Sequence, residues 1–254
     1  MIHKTFSVDD PPDIEVRIES GRVDIRHGKS RAVDVRVDTK VPGFIVEQRG
    51  NSVLVSSDKN ASWLSRGSAY VVIEAPDGSD MRVGVASAPV RSEVPLGKVD
   101  IRTASGDIEL VAAETLVAKT ASGDLDVRSV ERGLRFSSAS GDLRVADRVG
   151  GSVVVSTASG DVHIERTDAT IEMNTASGDA YISYFTGRSA SFKAMSGDIE
   201  IGIPPRSNVS LDVNLLSGRL RLPDSPGRKE PPARHMSIKG KAVSGDFTIN
   251  LVDG

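Results

Sequence analysis

A row of aspartates is the pattern in this sequence with the clearest chemical potential. Each aspartate follows a glycine in a Ser-Gly-Asp triplet, and successive triplet glycines lie 17 to 27 residues apart, with Arg219 in the aspartate's place in one copy. Regularly spaced carboxylates are able to bind cations or to act as acid and base in hydrolysis. The seven glycine and aspartate pairs are Gly106 and Asp107, Gly123 and Asp124, Gly141 and Asp142, Gly160 and Asp161, Gly178 and Asp179, Gly197 and Asp198, and Gly245 and Asp246.

Neither form of chemistry fits the row well. Ca²⁺ takes about six to eight oxygen ligands, and one aspartate per repeat supplies too few of them. Glycoside hydrolysis needs two carboxyl groups at a set separation, whereas acids outside the row, such as Glu109 and Glu200, are scattered among arginines and lysines. The sequence favours a structural role, in which each aspartate accepts backbone N–H groups at its own turn. A ladder of Ca²⁺ ions is the alternative.

A second row lies four residues before each glycine, at position −4. If the aspartates stack at the spacing of β-strands, about 4.8 Å, neighbours repel by about 3–4 kcal/mol at an effective dielectric constant of 20. Position −4 contains four bases and no acid, so we hypothesise that it lies on the same outer edge and partly neutralises the aspartates. An ordinary solvated strand face is the alternative. The row reads Arg102, Lys119, Ser137, Ser156, Asn174, Lys193, Asn214 and Lys241.

The repeats themselves predict paired β-strands. Residues two and four places after each glycine are apolar in nearly every copy, as in Val162 with Ile164, and this period of two indicates a half-buried strand. A second apolar strand precedes each glycine, so the glycine marks a corner, where it permits positive φ or close contact with the next coil. A hydroxyl at position −3 can satisfy a backbone group of the turn. The hydroxyl residues are Thr103, Thr120, Ser138, Thr157 and Thr175.

Repeats of this length predict an all-β fold, a single-domain parallel β-solenoid (β-helix) with coils of about 18–19 residues. We expect an irregular N-terminal β region and cap over residues 1–95 and regular Ser-Gly-Asp coils over 96–222. Residues 223–254 should form an extruded proline-rich loop and a capping coil, because open solenoid ends need caps.

Trp63, the only tryptophan, lies in a predicted loop at residues 58–68. We expect it to cover an end of the core, with partner binding as the alternative. Trp63, Arg102, Lys119 and Lys193 are the candidate partner-binding residues.

Composition narrows the function further. The 254 residues are 38% hydrophobic and 4% aromatic, with a formal net charge of −3, so there is no electrostatic reason to expect nucleic acid as a partner. The absence of cysteine excludes disulfides, thiolate metal sites and cysteine nucleophiles. The four histidines lie far apart, and no catalytic or phosphate-binding motif is present. We expect no metal, no cofactor and no enzymatic activity.

The N-terminal stretch MIHKTFSVDDPPDIEV has no apolar signal segment, and no apolar run reaches about 18 residues. The expectation is a cytoplasmic protein without membrane insertion.

Three stretches carry a resemblance to a known family. The repeated TASGD phrase, ESGRVDI near the N-terminus and SWLSRGSAYVVIEAP before the regular coils resemble the bacterial domain-of-unknown-function 4097 family. Its members are β-strand-repeat proteins often labelled as candidate adhesins. The resemblance implies a right-handed parallel β-solenoid with a non-enzymatic role, and it transfers no catalytic residues.

The predicted function is a binding or scaffold module whose partner is a protein or an envelope-associated molecule. The chain is expected to be a monomer or a weak homo-oligomer. One alternative is a self-assembling, cytoskeleton-like β-helix polymer, and another is a carbohydrate-binding or carbohydrate-acting β-helix.

Overall fold

The computed structural model describes residues 1–57, 67–223 and 234–253. Within these ranges the chain is all-β, as predicted, and contains no helix long and apolar enough to cross a membrane. Trp63 lies outside the described residues. The chain divides into two compact units, Met1–Val127 and Arg128–Gly254.

Unit 1 mixes parallel and antiparallel pairing. β2 pairs in parallel with β8, β3 pairs in parallel with β9, and β9 pairs in parallel with β10. β4 runs antiparallel to β1 and β7, and β5 and β6 form an antiparallel hairpin. The strands are β1 (Ile2–Ser7), β2 (Asp13–Ile18), β3 (Ser20–His27), β4 (Ala32–Thr39), β5 (Ile45–Arg49), β6 (Ser52–Ser56), β7 (Ser68–Ala75), β8 (Asp80–Val85), β9 (Val90–Arg102) and β10 (Ile108–Lys119).

Unit 2 is built from parallel strands. β11 (Leu125–Ser138) begins at the end of unit 1 and continues into unit 2. The other strands are β12 (Leu143–Val149), β13 (Ser152–Thr157), β14 (Val162–Thr167), β15 (Thr170–Ser177), β16 (Ala180–Phe185), β17 (Ser189–Ser196), β18 (Ile199–Ile203), β19 (Ser207–Ser217), β20 (Leu220–Arg221), β21 (Arg234–Ser244) and β22 (Phe247–Leu251).

Strands one repeat apart lie side by side in unit 2. Those that precede the corners stack in the order β11, β13, β15, β17, and those that follow the corners stack as β12, β14, β16, β18. The residues two and four places after each glycine point into the core, as the alternation predicts: Val162 and Ile164 are both buried. Equivalent positions of successive repeats are therefore neighbours in space.

The last coil in sequence is not the last coil in space. β21 lies between β17 and β19, and β22 lies between β18 and β20. The sequence predicted a capping coil within residues 223–254, but the structure inserts β21 and β22 into the stack and leaves β19 and β20 at its edge. Chain order did not predict this arrangement, because the last strand of a chain can pair between two earlier coils as well as at the end of the stack.

The core of unit 2 is mainly aliphatic and also contains four phenylalanines. Phe136, Phe185, Phe192 and Phe247 are fully buried. Phe192 of β17 meets Phe247 of β22 edge to face, with ring centroids 6.1 Å apart and an interplanar angle of 74°. This contact connects the inserted last coil, which contains β22, to the preceding coil in space, which contains β17. Such ring pairs contribute about 0.5–1.5 kcal/mol beyond the burial of their area.

Candidate functional site

The glycines of the triplets are required because the backbones of successive corners almost touch. A Cβ atom added to Gly160 would lie 2.0 Å from the carbonyl oxygen of Gly141, and one added to Gly178 would lie 2.3 Å from that of Gly160. No side chain fits at such distances. The glycine row brings the aspartates that follow it to the spacing of the strands.

At least six of the seven aspartates in the row accept a hydrogen bond from the backbone of the next coil in space: Asp107, Asp142, Asp161, Asp179, Asp198 and Asp246. In unit 1, the backbone N–H of Asp124 donates to Oδ1 of Asp107 at 3.1 Å. In unit 2, the N–H of Asp179 donates to Oδ1 of Asp161 at 2.8 Å, and the N–H of Asp198 to Oδ1 of Asp179 at 2.7 Å. The prediction that each carboxylate serves its own turn is therefore wrong. Its acceptor oxygen binds the following coil, and this contact offsets the repulsion along the row.

The inserted last coil also changes the place of Arg219 in the aspartate row. The N–H of Asp246 donates to Asp198 at 2.8 Å, and the N–H of Arg219 donates to Asp246 at 2.9 Å. Arg219 thus ends the aspartate row, whereas the sequence suggested that it interrupts the row. No described coil follows Arg219, so no carboxylate is needed there to receive another N–H group.

The outer oxygens of the row face neighbouring side chains. Tyr181 donates its hydroxyl to Oδ2 of Asp179 at 3.2 Å, and the negative charge of Asp179 raises the pKa of Tyr181. Arg221 pairs with Oδ2 of Asp246 at 2.9 Å. No group of three or more acidic or histidine side chains suited to a metal ion occurs among the described residues.

Four corners are closed by a hydroxyl group, and we call them capped corners. The N–H groups of Gly106 and Gly123 each donate at 2.7 Å to the hydroxyl three residues earlier. Gly141 and Gly160 do the same at 2.6 and 2.9 Å. At these corners the predicted role of position −3 is confirmed. The strand before a capped corner ends at position −4 or −3, as β13 does at Thr157.

Three later corners lack the hydroxyl and have a different geometry. Position −3 is Ala194, Leu215 or Ala242, and the glycines Gly197, Gly218 and Gly245 have φ values of 136°, 131° and 130°. We call these bare corners. The strand before each bare corner extends to the serine of its triplet, as β17 does to Ser196. The parallel ladder thus continues into the corner itself.

At two of the three bare corners the glycine N–H group bonds to the neighbouring coil. The N–H of Gly197 donates to the carbonyl oxygen of Ser244, and that of Gly245 to the carbonyl oxygen of Ser217, both at 3.2 Å. The corner at Gly178 is intermediate. It has Thr175 at position −3, but its N–H donates to Ser196 at 3.2 Å, and the Thr175 hydroxyl is buried without a partner among the described residues.

The −4 row of unit 2 lines a groove of about 770 Å³, which we call the outer groove. Its six members lie in continuous register across β11, β13, β15, β17, β21 and β19. Lys193 and Lys241 are adjacent in that register, and neither ammonium group makes an ion pair or hydrogen bond within the described part of the chain. The six are Ser137, Ser156, Asn174, Lys193, Lys241 and Asn214.

An apolar stripe runs beside the two lysines. At position −2 the earlier copies have alanine, but the bare corners have Met195, Val243 and Leu216. These side chains are 64%, 49% and 83% exposed, and Met195 and Val243 line the outer groove. Position −2 is exposed at the capped corners as well, so the stripe arises from the larger apolar side chains that replace alanine there.

The candidate partner-binding residues within the described part of the chain fall in both units. Lys193 lies in the outer groove. Arg102 and Lys119 are register partners in unit 1, where Arg102 also pairs with Asp100 at 3.2 Å. The sequence analysis missed the apolar stripe, although the replacement of alanine at position −2 by Met195, Leu216 and Val243 was a visible signal.

Parallel strands, stacked glycine corners and an aspartate row define an all-β repeat protein of the solenoid type. The chain belongs to the Toastrack DUF4097 family, whose model matches residues 12–254. This confirms the resemblance found in the sequence. Among curated proteins, none matches the chain.

Several solved structures resemble the chain at low identity. A candidate adhesin from Parabacteroides merdae is 12% identical with a TM-score of 0.38, and the match covers 96% of this chain and 95% of that protein. A candidate adhesin from Bacteroides fragilis is 14% identical with a TM-score of 0.41, covering 97% and 96%. A candidate lipid-binding protein from Parabacteroides distasonis is 12% identical with a TM-score of 0.45, covering 99% and 96%.

Proposed function

We propose that this chain is a non-enzymatic binding protein and that its outer groove holds an extended ligand with at least one anionic group. The observation that carries the proposal is the pair of adjacent lysines, Lys193 and Lys241, within a row of hydroxyl and amide side chains. The two lysines lie on neighbouring parallel strands, whose backbones are about 4.8 Å apart, so their like charges repel each other. A bound anion would remove that repulsion.

The residue types of the groove support binding rather than catalysis. Among the described residues, its lining contains no carboxylate and no histidine, so these residues supply no acid and base pair of the usual kind. The described lining also contains no aromatic ring, and sugar-binding sites commonly use such rings. The groove therefore suits the anionic groups of a chain-like ligand better than uncharged sugar rings.

The charge of the ligand is tested with two matched polymers. Dextran sulfate supplies an anionic chain, and dextran is its uncharged counterpart. The unmodified protein should bind dextran sulfate, and the Lys193→Gln/Lys241→Gln variant should bind it about tenfold more weakly, as the loss of about 1.4 kcal/mol implies. The control is Arg144→Gln/Arg166→Gln, which removes two exposed charges from β12 and β14, outside the groove. Equal weakening in both variants would show non-specific attraction and contradict the proposal.

The natural ligand is approached by photo-crosslinking. The chain contains no cysteine, so Asn174→Cys provides a single site in the groove for a benzophenone label, and His163→Cys provides a control on the outward face of β14. In extracts of the source cells, the groove label should form an adduct that the control label does not form. Identical adduct patterns from both positions would contradict binding in the groove.

A further inference from the structure

The edge strand of unit 2 has an unused side. β19 pairs with β21 along ten register positions, from Ser207 to Ser217. No strand in the described part of the chain pairs with the opposite side of β19. An eleven-residue edge of this kind is a template for pairing with another strand.

The free backbone groups of β19 follow from the pairing of β21. The N–H of Ser237 donates to the carbonyl oxygen of Arg188, on the β17 side of β21. Because the direction of these groups alternates along a strand, the groups of Ile238 point to β19, where its register partner is Leu211. The even-numbered residues of β19 then bond to β21. Leu211 and Val213 direct their own N–H and carbonyl groups towards the open side.

The same edge leaves apolar core positions partly uncovered. Leu211 and Leu215 of β19 are half-buried, whereas their register partners in β21, Ile238 and Ala242, are buried. Unpaired backbone groups and half-buried core residues thus lie on one strand. A lipid surface would cover the side chains but would leave the N–H and carbonyl groups unsatisfied. A partner strand would both cover the half-buried side chains and bond to the unpaired N–H and carbonyl groups.

We propose that this edge binds a second copy of the chain, with the two β19 strands antiparallel about a two-fold axis at Val213. In this register Val213 of one copy faces Val213 of the other copy, and the two residues exchange both N–H···O hydrogen bonds. Asp212 faces Asn214 of the other copy, so a carboxylate meets an amide donor at two symmetric positions. An axis at Asp212 would also leave Leu211 and Val213 free to exchange backbone hydrogen bonds between the copies, but it would place two like charges directly opposite each other, which is destabilising.

This dimer is independent of the groove ligand, but it extends the groove. The outward residues Asp212, Asn214 and Leu216 of one copy lie beside those of the other. Position −4 and the apolar stripe would therefore continue from one copy to the next across the two-fold axis.

Disulfide trapping tests the register directly. Positions 212 and 214 form a non-hydrogen-bonded pair in the proposed dimer, where Cβ atoms lie about 4.5–5.5 Å apart and a disulfide is accessible. Mixing the Asp212→Cys and Asn214→Cys variants under mild oxidation should give a cross-linked heterodimer. Efficient cross-linking of Asp212→Cys alone, or no cross-link in the mixture, would overturn the proposal.

A proline substitution tests the interface without oxidation. Val213→Pro removes an N–H group that faces the open side, so it should leave the β21 ladder intact, because proline is tolerated on edge strands. Sedimentation equilibrium should show dimers of the unmodified chain and a dissociation constant raised about tenfold or more by Val213→Pro. Thermal unfolding checks that the variant folds. If it does not, Val213→Lys serves as the second variant.

Hydrogen exchange completes the test. In the dimer, the amides of Leu211 and Val213 should be protected at high protein concentration and exchange faster on dilution. A chain that is monomeric at every concentration would overturn the proposal, whether these amides exchange rapidly or are protected by other residues of the same chain.

Discussion

The capped corners and the bare corners satisfy the N–H group of the corner glycine in two different ways. At Gly160 the glycine N–H is satisfied by a hydroxyl of its own coil, 2.9 Å away. At Gly197 it is satisfied by the neighbouring coil, through the carbonyl oxygen of Ser244 at 3.2 Å, and the glycine adopts a φ of 136°. The residue at position −3 is Thr157 in the first case and Ala194 in the second. A hydroxyl residue does not by itself decide the outcome, since the N–H of Gly178 bonds to the neighbouring coil although Thr175 precedes it.

The difference teaches how a repeat gains an exposed apolar surface. Position −2 is exposed at both types of corner, but alanine occupies it at the capped corners. At the bare corners Met195 and its counterparts occupy it instead, beside Lys193 and Lys241. Loss of one buried hydroxyl per coil is therefore associated with an exposed apolar stripe beside the two lysines of the outer groove.

The largest expected effect separates the glycines of the two corner types. Gly160→Ala introduces a clash with a backbone oxygen and should lower the free energy of unfolding by about 2–3 kcal/mol. Gly197→Ala adds the cost of a positive φ to a similar clash and should lower it by about 4 kcal/mol. Urea unfolding measures both values.

The control for these glycines is Gly133→Ala. A Cβ atom at Gly133 would lie 3.6 Å from the carbonyl oxygen of Ser152, which is ordinary contact, so its effect should stay within about 0.5 kcal/mol. Equal losses at Gly160 and Gly197 would show that the positive φ of bare corners carries no extra cost.

The next effect tests the direction of the aspartate row. Asp161→Ala removes the charged acceptor for the N–H of Asp179 and should destabilise the chain by about 2 kcal/mol, the usual contribution of a hydrogen bond to a carboxylate. Asp161→Asn keeps an acceptor oxygen and should restore most of this loss. Arg219→Ala should change stability by less than about 0.5 kcal/mol, since no described coil depends on the side chain of Arg219. A larger loss from Arg219→Ala than from Asp161→Ala would contradict the order of the coils.

The smallest of these effects concerns the hydroxyl groups. Thr157→Ala leaves the N–H of Gly160 without its acceptor and should cost about 1–2 kcal/mol, most of which Thr157→Ser should recover. Thr175→Ala removes a hydroxyl that bonds to nothing in the described chain, so it should cost only the burial of a methyl group, about 0.8 kcal/mol or less. Thermal unfolding monitored by circular dichroism compares them. The distinction between corner types fails if Thr175→Ala costs as much as Thr157→Ala.

Local pattern predicted much of the fold. The period of two places residues such as Val162 and Ile164 in the core, and position −3 supplies the hydroxyl caps at Gly106, Gly123 and Gly160. These features depend on neighbours within one coil, which the chain order fixes. The right-handed twist of the coil and its length remain predictions.

Features that depend on contacts between coils were harder to predict. A repeat shows which aspartates stack but not which coil donates to Asp161, and no pattern indicated that β21 lies between β17 and β19. The absence of both the aspartate and the hydroxyl in the copy at Gly218 was a signal that this coil ends the stack. The outer groove was predictable only in part. Its residues recur at position −4 of the repeat, but their order in space depends on the insertion of β21 between β17 and β19.

Methionine oxidation tests the central claim most directly, namely that the bare corners carry large apolar side chains exposed at position −2. Met195 is 64% exposed, whereas Met173, which points into the core, is 3% exposed. After treatment with dilute hydrogen peroxide, peptide mass spectrometry should show Met195 converted to its sulfoxide many times faster than Met173, because oxidation follows exposure. Equal, slow oxidation of Met195 and Met173 would contradict the exposed apolar stripe and the binding surface built on it.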